Sequence, residues 1–157
     1  MSDKQRIIHV SLDEHTVIRR SPQIEHERKV AIYDILEENQ FEILGGIEGP
    51  YNLHISTEEN RLIFDVRDEI GGPLTKFTLP ISSFRSIVKD YFVVCDSYFQ
   101  AIKTLTPSQI EAIDMGRRGL HNEGAELLRD RLADKVKIDE NTSRRLFTLI
   151  CVLHIKA

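Results

Sequence analysis

Thr75-Lys76-Phe77-Thr78-Leu79-Pro80-Ile81-Ser82-Ser83-Phe84-Arg85-Ser86-Ile87-Val88 is the stretch where the chain changes period. Thr75 to Leu79 reads as a strand, whereas beyond Pro80 apolar residues recur every three or four positions, the signature of helix. Upstream lie Tyr51, Leu53 and Ile55 on one face of a strand, then Leu62, Phe64 and Val66 on the next. The turns Thr57-Glu58-Glu59-Asn60 and Gly71-Gly72-Pro73 are short enough that all three strands form an antiparallel meander. Downstream, everything after Pro80 is expected to be helical. The fold class that follows is α+β: a small antiparallel sheet of about five strands packed by helices, with a helical C-terminal half.

The remaining elements extend this division. Arg6 to Leu12 alternates, with Ile8, Val10 and Leu12 expected inward. Ser21 is a suitable N-cap and Pro22 a suitable first residue for a helix reaching Glu38, which buries Ile24, Ala31, Ile32, Ile35 and Leu36. Phe41 to Leu44 is a short strand. Gly45-Gly46-Ile47-Glu48-Gly49-Pro50 lacks the Gly-Lys-Ser/Thr ending of a phosphate loop and reads as a turn. Ser82 or Ser83 is expected to cap a helix reaching Lys103. Its stripe predicts Phe84, Tyr91, Cys95, Phe99 and Ile102 buried together under the sheet. Thr106-Pro107-Ser108-Gln109 is a capping box. The last helix runs from about Glu140 to His154. The whole of 1–157 is expected to be one domain, strand-rich over 1–80 and helical over 81–157.

Composition narrows the function classes. The 157 residues are 41% hydrophobic and 29% charged, with a formal net charge of −4, which disfavours bulk binding to nucleic acid or to an anionic membrane. No apolar run approaches the roughly 20 residues that span a bilayer, and Met1 to Arg6 leads into alternating sequence with no secretory h-region. The expected location is the cytoplasm. Cys95 and Cys151 sit in apolar helical sequence without C-x-x-C spacing, so both are expected to be free, buried thiols.

The chemistry concentrates in Asp114-Met115-Gly116-Arg117-Arg118-Gly119-Leu120-His121-Asn122-Glu123-Gly124. Three glycines in helical sequence cost about 1 kcal/mol each relative to alanine, so a break near Gly116 to Gly119 is expected, or else close packing. Arginine occurs in three adjacent pairs: Arg19-Arg20, Arg117-Arg118 and Arg144-Arg145. Guanidiniums beside helix starts and glycine N–H groups suit a phosphate or carboxylate. The candidate ligand-binding set is therefore Arg117, Arg118, Asn122, Gly116, Gly119, Arg19, Arg20, Arg144 and Arg145. The plainer reading is that 21 basic residues simply pair among 25 acidic ones. His121, oriented by Asp114 or Glu123, is the candidate general base. His26 with Glu27, His54, and His121 with Glu123 are the only metal-like groupings, at spacings that match no ligand motif, so no metal and no cofactor is expected.

Arg20-Ser21-Pro22 with Glu25-His26-Glu27-Arg28, Gly49-Pro50-Tyr51, Lys89-Asp90-Tyr91-Phe92, Gly116 through Gly124, and Arg145-Leu146-Phe147-Thr148-Leu149 together resemble a family of uncharacterised alphaproteobacterial proteins. The resemblance covers nearly the whole chain and brings no catalytic residue with it. Three functions stay open on the residues. The first is a non-enzymatic binding module for an anionic small molecule or an acidic protein segment. The second is a hydrolase or transferase for a phosphorylated or carboxylate substrate, with His121 as base. The third is a structural interaction domain whose site is a homodimer interface.

Overall fold

The computed structural model describes residues 4–13 and 22–153. In chain order the elements are β1 (Ile7–Leu12), α1 (Pro22–Glu37), β2 (Phe41–Ile43), β3 (Tyr51–Glu58), β4 (Arg61–Arg67), β5 (Pro73–Pro80), α2 (Ser82–Thr104), α3 (Pro107–Leu132), β6 (Val136–Ile138) and α4 (Glu140–Leu153). The fold is α+β, with a helical C-terminal half.

The meander forms as its alternation requires. In the sheet order β1-β3-β4-β5, the pairs β3/β4 and β4/β5 are antiparallel. Leu12, Ile55, Phe64 and Phe77 stand side by side across all four strands, each buried. The turn at Glu59 and Asn60 has positive φ at both residues, the twist a two-residue hairpin loop requires. β1 joins the far edge in parallel with β3, which is possible because α1 lies between β1 and β3 in the chain.

β1 departs from simple alternation. Its register shifts between Ile7 and His9, so Ile7 and Val10 are both buried while Ile8 is 38% exposed. An extra residue in one strand reverses the facing of side chains beyond it. Ile8 is therefore not one of the inward residues that strict alternation predicts.

A second difference lies after Pro80. Val136-Lys137-Ile138 is a strand, pairing antiparallel with Phe41-Glu42-Ile43 as a separate two-stranded sheet. The expected second strand therefore forms, yet its partner is nearly a hundred residues away and not in the meander. Phe41, Ile43, Val136 and Ile138 are all buried, and this burial holds the ribbon together.

The helices divide the work unevenly. α2 has its wide apolar stripe, and Phe84, Val88, Tyr91 and Cys95 are buried, but Phe99 is only partly covered and Ile102 is 51% exposed. The stripe therefore leaves the core before the helix ends. Ile81, not Ser82 or Ser83, occupies the α2 cap position, without a side-chain cap bond. Ile81 is itself buried, and its N–H donates to the Asn60 carbonyl at 3.0 Å, so core packing fixes where the helix starts. The most enclosed helix is α4, which packs against α1 and α3, while α2 pairs with α3. Thr142, Ser143, Leu146, Phe147 and the whole run Leu149 to Leu153 are buried.

α3 is one unbroken helix. The capping box is present: Thr106 Oγ1 accepts from the Gln109 N–H at 3.4 Å, and Gln109 Oε1 accepts from the Thr106 N–H at 3.1 Å. The expected break at Gly116 to Gly119 does not occur, because Asp114 ties to Arg117 and Arg118 across exactly this turn. Such (i, i+3) and (i, i+4) pairs support a helix where its propensity is weakest. Side chains added at Gly116 or Gly119 would meet nothing, whereas one at Gly124 would collide with the Phe147 ring. Gly124 alone is the close-packing glycine of the three.

Candidate functional site

Three helices present polar residues at one-turn spacing toward a shared cleft, and α2 closes it with Tyr91. α4 contributes Asn141, Arg144, Arg145 and Thr148; α3 contributes Arg117, Arg118 and His121; α1 contributes His26, Glu27, Val30, Ala31 and Asp34. The cleft is open on one side and has a volume of about 450 Å³, within the range of small-ligand sites. Residues i, i+3/i+4 and i+7 share one face of a helix, so each helix lends a single stripe.

Arg117 is held on two sides. Its Nε and Nη2 donate to Asp114 Oδ1 at 3.0 and 2.6 Å, and its guanidinium lies 5.0 Å from the centre of the Tyr98 ring. Arg118 pairs with the other oxygen of the same carboxylate at 3.1 Å. One negative charge thus serves two positive ones.

Arg145 spans to α1, donating through Nη1 to the carbonyl oxygens of Asp34 and Glu38 at 3.4 and 3.0 Å. α1 carries no basic residue in its last turn, so Arg145 supplies from another helix the positive charge that a helix C-terminus favours. Arg144 differs from the other three. Among the described residues its guanidinium has no hydrogen-bond or ion-pair partner, and its Nε is sealed from solvent.

His121 is packed between aromatic rings, tilted against Tyr91 at 5.4 Å and edge-on to Phe147 at 5.3 Å between centroids. Its Nε2 lies 2.7 Å from Thr148 Oγ1, and the Thr148 hydroxyl donates to the Arg144 carbonyl at 3.2 Å. A hydroxyl has one proton, so Thr148 gives it either to that carbonyl or to Nε2, and the His121 tautomer follows from which. Burial, reinforced by the Arg144 and Arg117 charges, lowers the imidazole to about 4. The ring is neutral at pH 7. Burial also raises the Glu27 carboxyl against the opposing pull of Arg117 and His26, and it raises Tyr91, with the Glu27 charge adding to the effect.

Of the residues singled out by sequence, Arg117, Arg118, His121, Arg144 and Arg145 converge on this cleft. Asp114 stands behind it, bound to arginines instead of to His121. Gly116, Gly119, Asn122 and Glu123 are exposed and are not among the lining residues. Arg19, Arg20 and Ser21 lie outside the described residues. Sequence reading missed Tyr91, Asp34, Asn141 and Thr148, and treated His26 and Glu27 only as a weak metal grouping. The available signal was the Asn141-Arg144-Thr148 stripe, polar at helical spacing within an otherwise apolar helix. Among the described residues no three His, Cys, Asp or Glu side chains converge as a metal site would require. Cys95 and Cys151 are free and buried, and burial pushes the Cys95 thiol up to about 11.

Together these features define an α+β protein with a charged, helix-walled cleft. The chain belongs to the family described as uncharacterised protein family UPF0262, whose profile matches residues 4–156. It is 60% identical over 156 residues to the UPF0262 protein of Paramagnetospirillum magneticum, covering 99% of both chains. It is 58% identical over 156 residues to that of Rhodospirillum rubrum, covering 99% of this chain and 96% of the relative. A relative from Rhodopseudomonas palustris strain BisB18 is 59% identical over 150 residues, covering 96% of this chain and 92% of its own. No solved structure matches. No described helix is long and apolar enough to cross a membrane.

Proposed function

We propose that this chain is a cytoplasmic, non-enzymatic binding protein that takes a small anion, a phosphate or carboxylate, into the cleft between α1, α3 and α4. The observation that carries this reading is Arg144. A guanidinium with a sealed Nε and, among the described residues, no ion-pair partner is costly, and an anion held between it and Arg117 and Arg118 would remove that cost. A cleft volume of about 450 Å³ suits a small molecule. Binding is also favoured over catalysis by His121. Lowered to about 4, it is a weak base at neutral pH, and Asp114 is engaged elsewhere.

The test is a phosphate titration followed by thermal unfolding, comparing wild type with Arg144→Gln. Wild type should gain stability saturably, by about 2.7 kcal/mol at a hundredfold excess over Kd. Arg144→Gln should lose at least tenfold in affinity. Sulfate and phosphate stabilise most proteins without occupying a site, so equal shifts in both proteins would refute the reading.

A further inference from the structure

The cleft has walls of opposite sign, and neither is neutralised by the other. On the arginine wall, Arg117 and Arg118 share Asp114, while Arg144 has no partner among the described residues. Three guanidiniums against one carboxylate leave two positive charges, with Arg145 committed to the α1 carbonyls. A phosphate monoester carries a charge of about −1.5 to −2 at pH 7, and so matches this wall better than a single carboxylate does.

Across the cleft, α1 presents Glu27, with Asp34 two turns further along the same face. Glu27 is half-buried, and among the described residues it makes no hydrogen bond or ion pair, although Arg117 is near enough to act on it electrostatically. A carboxylate in that position calls for a charged donor. Arg117 makes no hydrogen bond to Glu27; its Nε and Nη2 are turned to Asp114. Arg145 ties α4 to the end of α1.

Building on the anion-binding reading, we infer that the ligand is a small phosphate monoester bearing a primary amine. Its phosphate lies against Arg144, Arg117 and Arg118, and its ammonium against Glu27. The excess positive charge of the arginine wall then meets the phosphate, and the Glu27 carboxylate meets the ammonium.

Calorimetric titrations at pH 7.5 with inorganic phosphate, ethyl phosphate and phosphoethanolamine test this, since the last two differ only by the terminal amine. Wild type should bind phosphoethanolamine at least tenfold more tightly than ethyl phosphate. Glu27→Gln should abolish that gap without weakening ethyl phosphate binding, and Arg144→Gln should weaken both. Equal affinity for the two esters in wild type, with binding still dependent on Arg144, would overturn the amine assignment and leave the anion site standing. No binding of any of the three would overturn both.

Discussion

Two faces of α4 meet opposite requirements. Leu146, Phe147, Leu149, Ile150 and Val152 are sealed in the core, and even the small polar groups there are satisfied: Ser143 Oγ donates to the Ala125 carbonyl at 2.6 Å, and Thr142 Oγ1 accepts from the Gln40 N–H at 3.1 Å. On the other face, Asn141, Arg144, Arg145 and Thr148 line a cleft where the Arg144 guanidinium has no ion-pair partner among the described residues. Apolar burial contributes roughly 25 cal/mol per Å², whereas an unpaired, partly desolvated charge opposes folding. The sealed face therefore carries stability, and the open one leaves positive charge uncompensated.

This contrast is broken or sharpened most directly by paired substitutions. Phe147→Ala removes the ring that fills the notch at Gly124 and flanks both His121 and Tyr91. Urea unfolding should show a loss of about 3–5 kcal/mol. Arg144→Gln, on the same helix, removes an uncompensated charge and should leave the ligand-free protein as stable as wild type or more stable. A comparable loss for both would make Arg144 a structural residue and dissolve the distinction between the faces.

A smaller effect comes from pH. An unfolded histidine titrates near 6.5, while folded His121 titrates at about 4. As pH falls from 6.5 toward 4, the unfolded state binds the proton first, so stability is lost through that window and is fully present above it. The group should account for a loss on the order of 3 kcal/mol across the window. His121→Gln should flatten the stability profile between pH 6.5 and 4 relative to wild type. An unchanged slope would mean that the imidazole is not held in the dry aromatic niche between Tyr91 and Phe147.

How far the sequence reveals this arrangement follows from the length of each signal. The meander, the capping box at Thr106 and the helix from Glu140 repeat their period over several turns or strands, and all appear as expected. β6 is three residues long and exists because Phe41 and Ile43 offer it a partner, a long-range condition that no local window contains. The β1 shift at Ile8 is a single extra residue, invisible to an alternation rule. Gly116 and Gly119 suggested a break because propensity counts residues singly, while Asp114 stabilises the turn through two arginines at once. In the cleft, charge clustering exposed the α3 and α4 arginines and His121. The α1 contribution was hidden because Glu27 and Asp34 look like ordinary solvated residues until α4 is packed against them. Tyr91 was hidden by belonging to the core stripe of α2.

The central claim is that an anion sits between Arg144 and the Arg117-Arg118 pair. Diffraction from crystals grown with selenate, collected at the selenium edge, tests it most directly. The account predicts an anomalous peak in the cleft within hydrogen-bonding distance of the Arg144 guanidinium, and its loss in crystals of Arg144→Gln. An empty cleft in which Arg144 is instead closed onto Glu27 or Asp34 would contradict it.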